Sequence, residues 1–89
     1  MGSMNIKMRI LPKSVETSLE KIKAKVKQVI EEAGGKGVNF EEEPVAFGLK
    51  AVITMFVCPE NQELEALENK LKENDDINSL EVVDMRRAL

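Results

Sequence analysis

Between Pro44 and Pro59 the chain carries Phe47, Leu49, Ala51, Ile53, Met55 and Val57 on one alternation set, and Gly48, Lys50, Val52, Thr54, Phe56 and Cys58 on the other. A strand sends successive side chains to opposite faces, so a segment that is largely apolar in both sets is covered on both. The segment starting at Phe47 and ended by Pro59 is therefore predicted to be a central strand, with a neighbour on either side.

The remaining segments supply those neighbours. Met4, Ile6, Met8 and Ile10 alternate with Asn5, Lys7 and Arg9 until Pro12, which predicts a strand with one buried face. Val15, Leu19, Ile22, Val26, Val29 and Ile30 then recur at steps of mostly three and four, the spacing of one helical stripe. Thr17 with Glu20 is read as its capping box, and Gly34-Gly35 as its stop. Val38-Asn39-Phe40 opens a strand that runs through Glu41-Glu42-Glu43 to Pro44. Leu64, Leu67 and Leu71 mark a second, acidic helix with Asn61 as its cap, broken at Asn74-Asp75-Asp76. Leu80 to Met85 forms the last strand. Met1-Gly2-Ser3 reads as a cloning remnant, so the domain is taken as 4–89.

Strand, helix, strand, strand, helix, strand is the order of two interleaved β-α-β crossovers. The expected fold is an α+β, ferredoxin-like βαββαβ sandwich, a four-stranded antiparallel sheet with both helices on one face. In that order the third strand starts at one end of the sheet and the fourth finishes at the other. Strands of about six residues separate those ends by roughly 20 Å.

Composition removes several functions. There is no His, the usual general base near neutral pH and the commonest metal ligand, and a lone Cys58 allows neither an internal disulfide nor a zinc-type spacing. No apolar run approaches the roughly 20 residues of a membrane helix. The expectation is a soluble, cytoplasmic protein that is not an enzyme and needs no cofactor or metal. The formal net charge of −3 argues against a dedicated nucleic-acid binder. Charge is segregated: eight basic and four acidic residues lie between Lys7 and Lys36, and eight acidic and two basic between Glu60 and Glu81. Solvated helix faces of opposite sign explain this. The four lysines at positions 21, 23, 25 and 27 cannot share one helix face.

Candidate sites thin out on inspection. Glu41-Glu42-Glu43 lies on an extended segment, so its carboxylates alternate and do not converge; they fit an edge that resists strand pairing. Cys58 reads as a core residue. The glycines at 34, 35 and 37 follow a helix and so present no helix N-terminus to a phosphate. RNA binding through the sheet would need aromatics on both central strands, and Ile6 to Ile10 has none. Acylphosphatase-like hydrolysis would need an Arg-bearing loop where Leu11-Pro12-Lys13-Ser14 stands. Two features stay open. Phe47, past a Pro turn and followed by Gly48, either closes the end of the core or projects as an apolar anchor, and burial is the commoner fate of Phe. Arg86 and Arg87 near the end of the chain are either a solvated terminus or guanidinium groups that reach a phosphate or carboxylate.

Together, Pro44-Val45-Ala46-Phe47-Gly48-Leu49-Lys50-Ala51 and the ending Leu80-Glu81-Val82-Val83-Asp84-Met85-Arg86-Arg87 resemble the archaeal translation elongation factor 1-beta family, over Met4 to Leu89. The resemblance implies a guanine-nucleotide exchange factor for the GTPase elongation factor 1-alpha, monomeric when alone. In eukaryotic relatives a Phe of the Phe-Gly segment packs into the partner, which matches Phe47. A penultimate lysine there approaches the partner's phosphate-loop and magnesium region; the matching position here is Ala88, and the resemblance leaves Arg86 or Arg87 to supply the cation. The partner-binding set implied is Pro44, Phe47, Gly48 and Lys50 with Arg86, Arg87, Ala88 and Leu89. The alternative reading of the residues is a small ferredoxin-like ligand-binding regulatory module.

Overall fold

A computed structural model of the chain describes residues 2–60 and 63–88. Its elements are β1 (Ser3–Pro12), α1 (Leu19–Glu32), β2 (Lys36–Pro44), a single 3-10 turn at Ala46–Gly48, β3 (Lys50–Pro59), α2 (Leu64–Lys72) and β4 (Ile77–Ala88). The strands form one antiparallel sheet in the order β2-β3-β1-β4. The chain thus has the ferredoxin-like fold, with β3 and β1 central and β2 and β4 as edges.

The core lies between one sheet face and the two helices. Ile6, Met8 and Ile10 of β1 and Val52, Phe56 and Cys58 of β3 meet Ile22, Val26, Val29 and Ile30 of α1 and Leu67 and Leu71 of α2. The opposite set on β3 is well covered even without a helix: Ala51 is fully buried and Ile53 nearly so, with Arg9 and Glu41 at the flanking register positions of Ile53. Long charged side chains lay their aliphatic stems over such positions. The Cys58 thiol is buried, and burial pushes its pKa up, away from the reactive thiolate.

Several local expectations shift. The cap of α1 is Ser18, whose Oγ accepts from the Lys21 amide at 3.3 Å. Thr17 is engaged one turn back, its Oγ1 accepting from the Ser14 amide at 3.2 Å. Val15 consequently falls outside the helix, exposed in the β1–α1 loop. The helix closes where the glycines predict: Gly34 sits at φ +94°, and the Gly35 amide donates to the Ile30 carbonyl at 2.8 Å, an approach so close that a β-carbon would collide with Ile30. Asn61, the expected cap of the second helix, lies outside the described residues; Glu63 stands at the N-cap position of α2. After α2, Asn74 Oδ1 accepts from the Asp76 amide at 2.9 Å and turns the chain into β4, which begins at Ile77 and not at Leu80. β2 likewise starts earlier than expected and takes in Pro44, while Ser3 already pairs with Pro59 and Ala88, ahead of the predicted domain boundary. β3 starts three residues later than expected, at Lys50, and its 10 residues put its two ends about 30 Å apart.

The acidic run on β2 obeys the alternation and finds a partner. Glu42 faces α1, where its carboxylate accepts from Lys23 Nζ at 2.8 Å. That hydrogen bond holds the Glu42 carboxyl below, and the Lys23 ammonium above, their ordinary pKa values. Glu20 at 3.6 Å and Lys50 at 3.9 Å complete a network joining α1 to the β2–β3 hairpin. Lys23 is thus a tether in a row of lysines read as solvated.

Candidate functional site

The residues singled out from sequence fall into two groups at opposite ends of the sheet. At the first end, Pro44 closes β2 and Lys50 opens β3, directly paired. The chain crosses between them by a tight loop in which the Val45 amide donates to the Leu49 carbonyl at 2.8 Å. Phe47 is the apex. It belongs to the 3-10 turn and not to β3, because its φ of +64° and that of +77° at Gly48 are incompatible with a strand. Left-handed backbone disfavours a residue with a β-carbon by roughly 1–2 kcal/mol. Here that conformation turns the ring outward, 93% exposed. Core closure, the commoner fate of Phe, is therefore not its role.

A second exposed apolar side chain stands beside this loop. The β1–α1 loop is tied by the Ser14 and Thr17 hydroxyls, with the Thr17 amide donating to the Ser14 carbonyl at 3.2 Å and the Glu16 amide to Ser14 Oγ at 3.3 Å. This places Val15 next to Gly48, with its Cγ1 3.7 Å from where a Gly48 β-carbon would be. A groove of about 240 Å³ runs between the loops, lined by Val15, Leu19, Gly48 and Lys50 among others. Sequence reasoning gave Val15 to the helical stripe; Ser14 and Thr17, spaced as a hydroxyl-closed turn, were the signal for the loop.

At the far end, β4 brings Arg86 and Arg87 beside the start of β1, where Arg86 pairs with Asn5, Arg87 with Met4 and Ala88 with Ser3. The two guanidinium groups leave on opposite faces. Arg86 lies on the helix-free face, its Nε 3.1 Å from Asp84, at the rim of an open groove of about 490 Å³ that also includes Lys7, Asn39, Met55 and Val57. Arg87, on the helix side, pairs with Glu60 at the end of β3. Glu60 and Asp84 were not foreseen as partners. Leu89 lies outside the described residues. Among the described residues no cluster of three or more His, Cys, Asp or Glu is placed to hold a metal ion, and no helix is long and apolar enough to cross a membrane.

Residues 5–88 match the model of the EF-1 guanine nucleotide exchange domain. The chain belongs to this exchange-domain family. It is 36% identical to elongation factor 1-beta of Methanosarcina barkeri, covering 98% of this chain and 99% of that one. To the protein of the same name from Methanocaldococcus jannaschii it is 36% identical over 99% of this chain and all of the other. For Nanoarchaeum equitans the figures are 39% identity, 91% of this chain and the whole of the relative. Among solved structures, 30S ribosomal protein S6 from Thermotoga maritima superposes with a TM-score of 0.65 at 22% identity, covering 99% of this chain and 89% of that one. The C-terminal domain of the MgtC protein from Mycobacterium tuberculosis gives 0.63 at 11% identity, covering 99% and 88%. At these identities the two structures speak for the fold alone.

As a member of the exchange-domain family the chain is a guanine-nucleotide exchange factor of translation elongation. Its two ends differ in chemistry, one apolar and held in shape by backbone hydrogen bonds, the other cationic with each cation already facing a carboxylate.

Proposed function

We propose that this protein promotes exchange of GDP for GTP on elongation factor 1-alpha in the cytoplasm, acting as a monomer folded as one exchange domain over 4–89. The observation that carries the reading is the family match across residues 5–88, which spans nearly the whole chain. Pro44, Phe47, Gly48 and Lys50 dock one part of the GTPase, with the Phe47 ring as the anchor. Arg86, Arg87, Ala88 and Leu89 reach a second part near bound phosphate and magnesium. A span of about 30 Å between the ends suits two separate contacts on a multidomain partner.

No covalent step is asked of the chain. An exchange factor works by binding the nucleotide-free or magnesium-free state more tightly than the GDP state, and by linkage it weakens GDP by the same factor. Magnesium and phosphate contacts hold the switch elements of a GTPase in place. A guanidinium brought beside them competes for the same anions.

The test is release of a fluorescent GDP analogue from elongation factor 1-alpha in excess GTP. Substoichiometric protein is expected to accelerate release strongly. An unchanged rate with a cognate, active GTPase would overturn the proposal.

A further inference from the structure

Arg86 and Arg87 are adjacent in sequence, yet their surroundings differ in a way that separates their roles. Arg86 faces Asp84, two residues back on its own strand and face, and both side chains are largely exposed, at 78% and 45%. A pair within one exposed strand does little to restrict the guanidinium relative to the rest of the molecule. The partner of Arg87 is 27 residues away in sequence, on the far side of β1. Glu60 directly follows β3, so its backbone is placed by the end of that strand, and its amide donates to the Gly2 carbonyl at 3.0 Å. The Arg87 side chain therefore spans the start of β1 and is gripped at its tip. Even so it stays 69% exposed, and its contact with Glu60 is through one terminal nitrogen, which leaves other N–H donors of the guanidinium open.

We infer that Glu60 is a positioning residue for Arg87, and that Arg87, not Arg86, is the working cation of this end, aimed at a phosphate or carboxylate of the GTPase. The inference rests on the proposed exchange activity. A long, flexible side chain loses rotamer freedom when it engages an anion. An Arg already paired with a carboxylate carried at the end of another strand has given up part of that freedom beforehand, and a guanidinium fork bridges two anions without releasing the first.

A double-mutant cycle read by GDP-analogue release tests this. Arg87→Ala is expected to slow exchange by about tenfold or more, the scale of a hydrogen bond to a charged group. Arg86→Ala slows it too, but several-fold less than Arg87→Ala does, and Glu60→Gln slows it by about two- to fivefold, the range of an exposed pair. Because Glu60 acts through Arg87, Glu60→Gln lowers the maximal rate with an unchanged half-saturating concentration, and adds nothing on the Arg87→Ala background. A structural role predicts instead a fall in melting temperature and equal harm in both backgrounds, and would overturn the inference. Slower exchange with Arg87→Ala but not with Glu60→Gln refutes the positioning role, and so does faster exchange with Glu60→Gln. If neither arginine matters while the unaltered protein still accelerates release, the assignment of this end falls and the exchange activity stands. If the unaltered protein is inactive, the activity itself is wrong.

Discussion

The two ends of the sheet present their side chains by different means. At the β2–β3 end the backbone itself is bent: two successive positive φ values and a Val45–Leu49 hydrogen bond leave Phe47 little choice but to point outward. At the β4 end the backbone is an ordinary strand, and placement comes from side-chain ion pairs, Arg87 with Glu60 and Arg86 with Asp84. Shape fixed by backbone is indifferent to salt, whereas exposed ion pairs are screened over a Debye length of about 10 Å at 0.1 M salt. The molecule therefore combines an end whose shape is insensitive to salt with one whose side-chain placement is salt-sensitive.

The sharpest break of this contrast is Phe47→Ala. A buried aromatic anchor at an interface carries 2 kcal/mol or more, so exchange should slow by about thirtyfold or more while the melting temperature of the isolated protein holds. A fall in melting temperature of the same variant would make Phe47 a folding residue instead. Next in size is ionic strength. Raising salt should narrow the gap between the unaltered protein and Arg87→Ala, and leave the gap to Phe47→Ala as it was, measured as exchange rates from low to high salt. A smaller effect, on stability, separates the strain of the loop from its use: Phe47→Gly should raise unfolding free energy by about 0.5–1 kcal/mol in denaturant titration, since glycine tolerates the left-handed conformation, while exchange is lost. The smallest effect lies between the ends. Glu42 has its folded pKa lowered by Lys23, so its contribution is present above the ordinary carboxylate range and disappears as pH falls through the lowered value. Glu42→Gln should therefore lower the melting temperature slightly at neutral pH and not at all in acid; an equal loss at both would show that the network is not electrostatic.

How much of this could be read from the residues follows from the range of the forces involved. Periodicity is local, so the strand and helix order, the central place of β3 and the glycine stop of α1 were all legible. The displacement of Val15 was not. Its spacing fits the helical stripe, and only the competition of Ser14, Thr17 and Ser18 hydroxyls for backbone amides removes it from α1. Phe47 was read as the first residue of a strand because alternation continues through it; two positive φ values are invisible to a pattern of two. At the other end, the pairing of Arg87 with Glu60 depends on strands that meet only through β1, so nothing near either residue in sequence announces it.

Strand β4 carries two residues too many for β1, Asn78 near its start and a second one closer to its tip. Val82 lies opposite Met8 and Asp84 opposite Lys7, which leaves Val83 without a counterpart. Counting by twos from Leu80 and Val82 would aim Asp84 at the core and send Arg87 to the helix-free face. The unmatched residue resets the parity, so that the tail keeps step with β1 and not with its own upstream half. Such a splice insulates the cationic tip from drift in length: a chain shortened by Val83 would still set Asp84 against Lys7, and Arg87 would still meet Glu60.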